Sequence, residues 1–163
     1  MSPDPARRPV EDAAQYCTFK VDHLLIGIEV WRVQEVIRDQ PMTFVPLAPR
    51  EVRGLINLRG QIVTAIDVRH WLALPSLPDA GALMNAVIRL DDEVVSLLVD
   101  EAGEVVEPVP ESYEPVPSTA SRQVRSMCSG TYKLEDALLL VLDIDSVGRL
   151  AADPGSPAAR RAS

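Results

Sequence analysis

The stretch from Gly54 to Arg69 holds two apolar runs, Leu55 to Leu58 and Ile62 to Val68, which meet at Arg59-Gly60. Runs this short, rich in Val and Ile and joined by so brief a break, fit paired strands better than one helix. Gly60 tolerates a positive φ, so Arg59-Gly60 predicts a tight hairpin turn or a bulge, and Gly54 punctuates the entry to the first run. The arginine constrains the chain most. A guanidinium amid so much aliphatic sequence needs a partner, because an unpaired buried charge is costly. Asp67 and Arg69 stand two apart at the end of the second run, so a continuing strand would put them on one face. The expectation is two paired strands offering a charged, glycine-flexed junction at one end.

The rest of the chain repeats this grammar. Tyr16 to Val21 and Leu24 to Ile28, split by Asp22-His23, read as a hairpin. Across Ile28, Val30, Val33, Val36 and Ile37 the apolar period lengthens from two towards three or four, which predicts one helical turn between strands, with Trp31 and Arg32 facing out. Pro41, Pro46 and Pro49 mark an extended connector, and Pro49 could start a helical turn over Ala48 to Val52. His70 reads as a strand end. Ala86 to Leu90 and Val94 to Val99 form the clearest second hairpin, closed by Val105-Val106. A proline-bearing connector follows, and Ser118 to Met127 is polar enough to read as a loop. Gly130 to Leu134 and Leu138 to Leu142 make a last hairpin, after which Asp143 or Asp145 could cap a short C-terminal helix ending near Leu150. Nine or ten short strands with almost no helix indicate an all-β barrel or sandwich, and pattern alone does not choose between them. Residues 1–14 read as a disordered tail, 15–150 as the folded domain and 151–163 as a flexible tail.

Charge and composition exclude several classes. The net charge is −8, and no Lys or Arg stands between Arg89 and Arg122, where acids cluster. Such a surface repels phosphate, which disfavours nucleic acid and anionic lipid. With only 4% aromatic residues there is little to stack bases on, so an oligonucleotide-binding barrel is disfavoured too. Arg50, Arg53, Arg59 and Arg69, by contrast, share a stretch with only Glu51 and Asp67, an asymmetry suited to an acidic patch on a protein partner. No apolar run approaches the ~20 residues of a membrane span, and the N-terminus lacks the apolar segment of a signal peptide. Cys17 and Cys128 read as reduced thiols of a cytoplasmic protein. His23 and His70 have no nucleophile-base arrangement around them, and no phosphate loop or metal motif is present. The expectation is no enzyme, no cofactor and no metal.

One combination is specific. Val52-Arg53-Gly54-Leu55-Ile56-Asn57-Leu58-Arg59-Gly60, followed by Ile62-Val63 and Ile66-Asp67-Val68-Arg69, closely resembles the CheW family of bacterial chemotaxis coupling proteins. Val33-Gln34-Glu35-Val36, Pro46-Leu47-Ala48-Pro49, Leu97 to Glu101 and Gly130-Thr131-Tyr132 match in type and spacing, so the resemblance runs from about Tyr16 to Leu150. It implies two small SH3-like, five-stranded barrels packed side by side. It implies a non-catalytic cytoplasmic adaptor, a monomer in isolation, that joins receptor arrays at the inner face of the membrane. One barrel would bind the CheW-like regulatory domain of a CheA-type histidine kinase, and the groove between barrels would take the hairpin tip of a chemoreceptor. A scaffold for a non-taxis pathway, in development, biofilm or surface motility, is the alternative. Val33 and Gly54 match kinase-binding positions, although alone they read as core and backbone accommodation. Glu35, Val36, Asn57, Leu58, Arg59, Gly60, Asp67 and Arg69 complete the candidate interface. The resemblance also brings Glu35 and Arg59 together as an ion pair, either purely architectural or also presented to a partner. Thr64 stands where the family commonly has proline, which bears on whether its strand lies at an edge.

Overall fold

A computed structural model describes residues 14–38, 40–75 and 83–151. β1 (Tyr16–Val21) and β2 (Leu24–Glu29) form the first hairpin, and one 3-10 turn, Val30–Arg32, accounts for the lengthened apolar period before β3 (Val33–Ile37). The two central runs are β4 (Val52–Leu58) and β5 (Gln61–Asp67). A short helix, α1 (Val68–Trp71), follows at once, capped by the Asp67 side chain, so His70 lies in a helix and not at a strand end. β6 (Met84–Arg89) and β7 (Val94–Val99) are the second hairpin, and β8 (Glu101–Val106) extends what looked like a two-residue closure into a full strand. After a 3-10 turn and the two-residue β9 (Tyr113–Glu114) comes α2 (Arg122–Met127). The chain ends in β10 (Cys128–Lys133), β11 (Leu138–Leu142) and α3 (Ile144–Ala151).

Two local expectations are corrected. Ser118 to Met127 is not all loop: the Ser121 hydroxyl accepts the Val124 N–H at 3.2 Å, and Val124 and Met127, three apart, are buried. The helix was hidden because its other residues are polar and it lasts under two turns. Pro49, conversely, starts a turn without a helix; the Val52 N–H reaches the Pro49 carbonyl at 3.0 Å and the chain enters β4 directly.

The strands make two sheets, β8-β1-β2-β11-β10-β9 and β3-β6-β7-β5-β4. The expected five and five is therefore six and five, the sixth being the two-residue β9. β2 pairs with β11, and β5 with β7, in parallel. β5 is thus an interior strand, with Thr64 opposite Leu55 on one side and Val95 on the other, so the proline difference does not concern an edge.

Three apolar clusters explain the near-continuous runs. Ile66, Ile88 and Leu97 of the five-stranded sheet meet Phe19, Ile28 and Leu140 of the other in one shared core. Their immediate neighbours Ala65, Val87 and Leu98 point the opposite way, into a second cluster with Ile56, Leu58 and Val63. A strand covered on both faces reads as a solid hydrophobic run and not as an alternation. Ile37 of β3 packs on that second cluster together with β4 residues, although β3 and β4 are the two outer strands of their sheet. The five-stranded sheet is therefore rolled around its own core, as a small barrel must be. Tyr16, Leu139 and Val141 form the smaller core behind the six-stranded sheet.

Candidate protein-interaction site

The β4–β5 hairpin turns on two residues, Arg59 and Gly60, between the paired Leu58 and Gln61. Both take positive φ, +54° and +87°, the signature of a type I′ turn. The Asn57 carboxamide accepts the Gly60 N–H at 2.9 Å and fixes the turn from the strand before it. Glycine and asparagine suit such positions. Arginine is uncommon there, so Arg59 holds a backbone conformation that its residue type rarely adopts.

That side chain reaches across the barrel mouth to β3. The Arg59 guanidinium donates from Nη2 to Glu35 Oε1 at 2.8 Å and from Nη1 to Oε2, a two-pronged clamp between the sheet's outer strands. A bulge between Val33 and Glu35 aims the carboxylate there. The Arg59 side chain is 68% exposed and that of Glu35 20% exposed, so the clamp lies at the surface and not in the interior the aliphatic sequence suggested. Hydrogen bonding to Arg59 is the chief cause that holds the Glu35 carboxyl below its usual range, and it likewise raises Arg59.

The other candidates separate by depth. Asn57 and Gly60 are exposed with Arg59. Val33 and Val36 are half-buried against the shared core, and Leu58 lies inside the barrel. Gly54 is buried, and a Cβ there would stand 2.7 Å from the Thr43 carbonyl oxygen. The proline-rich connector is bridged to β4 at that point, Thr43 and Leu55 exchanging two backbone hydrogen bonds of 2.8 Å.

Asp67 and Arg69 do not form the same-face strand pair that their spacing suggested, because the strand ends at Asp67 and helix geometry redirects Arg69. Asp67 takes Arg53 Nη1 at 2.7 Å. Arg69, 6% exposed, donates to Asp100 from Nε at 2.8 Å and from Nη2 at 2.5 Å, to the Pro75 carbonyl at 2.6 Å and to Asp22 at 3.4 Å. Hydrogen bonding to Asp100 keeps this arginine's pKa raised. Asp22 lies in the β1–β2 turn and Asp100 between β7 and β8, so Arg69 ties the two sheets together. Neither acid was singled out from the sequence; an arginine set in apolar sequence signals that a partner exists, not which residue it is.

A cleft of about 730 Å³ opens between the segment after α1 and the β2–β11 part of the six-stranded sheet. His23 and Leu24 of the first hairpin, Leu72 and Leu74 after α1, Val124 of α2 and Leu138 of β11 line it. The family resemblance implies a groove between the barrels, and the sequence singled out none of these residues for it. Cys17 and Cys128 are free thiols, and burial pushes Cys128 up to about 12. Among the described residues, no three His, Cys, Asp or Glu side chains gather as for a metal, and no helix is long and apolar enough to cross a membrane.

The pattern of the CheW-like domain matches residues 15–151, nearly the whole chain. This chain belongs to the CheW-like family. Chemotaxis protein CheW of Rhizobium meliloti (strain 1021) is 26% identical over 142 residues, covering 87% of this chain and 92% of that protein. Chemotaxis protein CheW of Bacillus subtilis (strain 168) is 27% identical over 138 residues, covering 85% and 88%. The crystal structure of the scaffolding protein TtCheW from Thermoanaerobacter tengcongensis superposes with a TM-score of 0.72 at 24% identity, over 81% of this chain and 90% of that one. That likeness establishes the fold, two joined SH3-like units.

Proposed function

We propose that this CheW-like chain is a non-catalytic cytoplasmic adaptor that couples chemoreceptors to a CheA-type histidine kinase. The mouth of the five-stranded barrel contacts the CheW-like regulatory domain of the kinase, and the cleft beside β2 and β11 takes the helical hairpin tip of the receptor. The two surfaces are distinct, so both partners can be held at once. The observation that carries the reading is the Arg59 turn: a charged side chain kept exposed, at a backbone position that disfavours arginine, and oriented by Glu35. The apolar lining of the cleft suits an amphipathic helical partner. Whether the pathway drives taxis or another output is a property of the kinase and receptor engaged.

The test is recovery of partners from native cytoplasm with tagged wild type and with Arg59→Asn, which suits the turn and removes the guanidinium. Co-recovery of a histidine kinase and a receptor by wild type, with the kinase reduced by the substitution, supports the reading. Recovery of neither by wild type refutes it.

A further inference from the structure

The connector between β3 and β4 carries the two most exposed large apolar side chains among the described residues, Phe44 at 75% and Leu47 at 92%. We propose that this connector is an apolar hook that inserts Phe44 and Leu47 into the regulatory domain of the kinase, and that Gly54 serves binding only by seating the hook. The inference rests on the kinase-coupling reading above and assigns residues to it.

Three observations converge. The first is local geometry. Val45-Pro46-Leu47-Ala48 is a β-turn, closed by the Ala48 N–H on the Val45 carbonyl at 3.4 Å, with Leu47 at φ +65°. Proline at the second position with positive φ at the third is a type II turn, whose third position favours glycine or asparagine. A leucine held there, almost wholly in water, gains nothing from its own fold. The second is attachment. The Thr43–Leu55 bridge fixes the connector to β4 in the one place where residue 54 has no Cβ, and any larger residue collides with the Thr43 carbonyl. A substitution at Gly54, itself buried, is therefore felt by a partner as displacement of Phe44 and Leu47. The third is continuity. From Leu55 the same strand runs through exposed Asn57, paired with the exposed Ile62, to the Arg59 turn, so hook and clamp are both carried by β4 of one barrel. None of the described residues lining the cleft proposed for the receptor comes from the connector, which argues for the kinase and not the receptor as occupant. Exposed Arg38 and Arg50 flank the connector, so the receiving pocket is apolar with carboxylates at its rim.

The test uses the full chain, titrated calorimetrically with the isolated regulatory domain of the CheA-type kinase from the same genome and, separately, with a soluble cytoplasmic fragment of a receptor. Leu47→Gly relieves the turn and deletes the hook, and Phe44→Ser alters only an exposed side chain, so both keep the wild-type circular dichroism and melting temperature. Each is expected to weaken kinase binding tenfold or more and leave receptor binding unchanged. Gly54→Ala is expected to weaken kinase binding alone, and to add little to a chain already carrying Leu47→Gly and Phe44→Ser. Wild-type kinase affinity in folded Leu47→Gly and Phe44→Ser would overturn the hook while leaving the adaptor reading intact. Weakened receptor binding would overturn its assignment to the kinase, and an additive Gly54→Ala effect would overturn the seating role. A wild-type chain that binds no kinase sinks the adaptor reading, and the hook with it.

Discussion

Replacing Arg69 by methionine keeps the side-chain stem and removes the guanidinium from the knot between the two sheets. Four hydrogen bonds go with it, two of them to Asp100 and one to the Pro75 carbonyl. Removing one member of a buried ion pair costs ~3–5 kcal/mol, mostly because the other charge is left without compensation. Here the Asp100 side chain keeps 21% of its surface in water, which relieves part of that penalty, so we take the low end, about 3 kcal/mol. For a chain of this length each kcal/mol moves the melting temperature by roughly 2–4 °C, which gives a fall of about 6–12 °C. Differential scanning calorimetry at neutral pH measures it. A second substitution, Asp100→Leu, removes the stranded carboxylate and should recover most of the loss, since an apolar pair of similar volume often replaces a buried ion pair without net cost. Recovery should stop short of complete, because Asp100 also accepts the Asp22 N–H at 2.7 Å. A fall of less than about 2 °C for Arg69→Met would refute the idea that this knot holds the sheets together.

Glu35 should titrate below the ordinary carboxylate range in the native chain, since its carboxylate accepts from Arg59; its contribution to stability is present above the unfolded value and is lost as pH falls through the lowered folded one. In Arg59→Asn the midpoint, followed by NMR, should rise towards the ordinary carboxylate value while the melting temperature stays level or increases, because asparagine suits a type I′ turn. Cys128 should resist a thiol reagent at pH 8 until the chain unfolds, because its thiol is buried and titrates only near 12, whereas the half-buried Cys17 should react first.

What was legible in the sequence, and what was not, follows from the range of the forces. The hairpins were legible because short apolar runs rich in Val, Ile and Leu, and breaks such as Asp22-His23 and Arg59-Gly60, are local signals. The 3-10 turn before β3 was legible for the same reason. α2 was missed because a helix of under two turns, mostly polar, offers only Val124 and Met127 as its pattern. The depth of the charged residues was misjudged in both directions. Arg59 looked enclosed because its sequence neighbours are aliphatic, yet a type I′ turn lifts it out of the barrel. Arg69 looked like the exposed end of a strand, yet one turn of helix after Asp67 carries it inward to acids 31 and 47 residues away. Charge burial depends on contacts distant along the chain, and spacing along one strand does not report them. The cleft beside β2 and β11 was illegible at residue level because its walls come from four separate parts of the chain.

The adaptor reading is tested most directly by sedimenting membranes that contain a chemoreceptor together with purified CheA-type kinase, with and without this chain. The account predicts that kinase enters the pellet with the receptor only when this chain is present, and that Arg59→Asn lowers the amount recruited. Kinase recruited equally without the chain, or not at all with it, would contradict the coupling role.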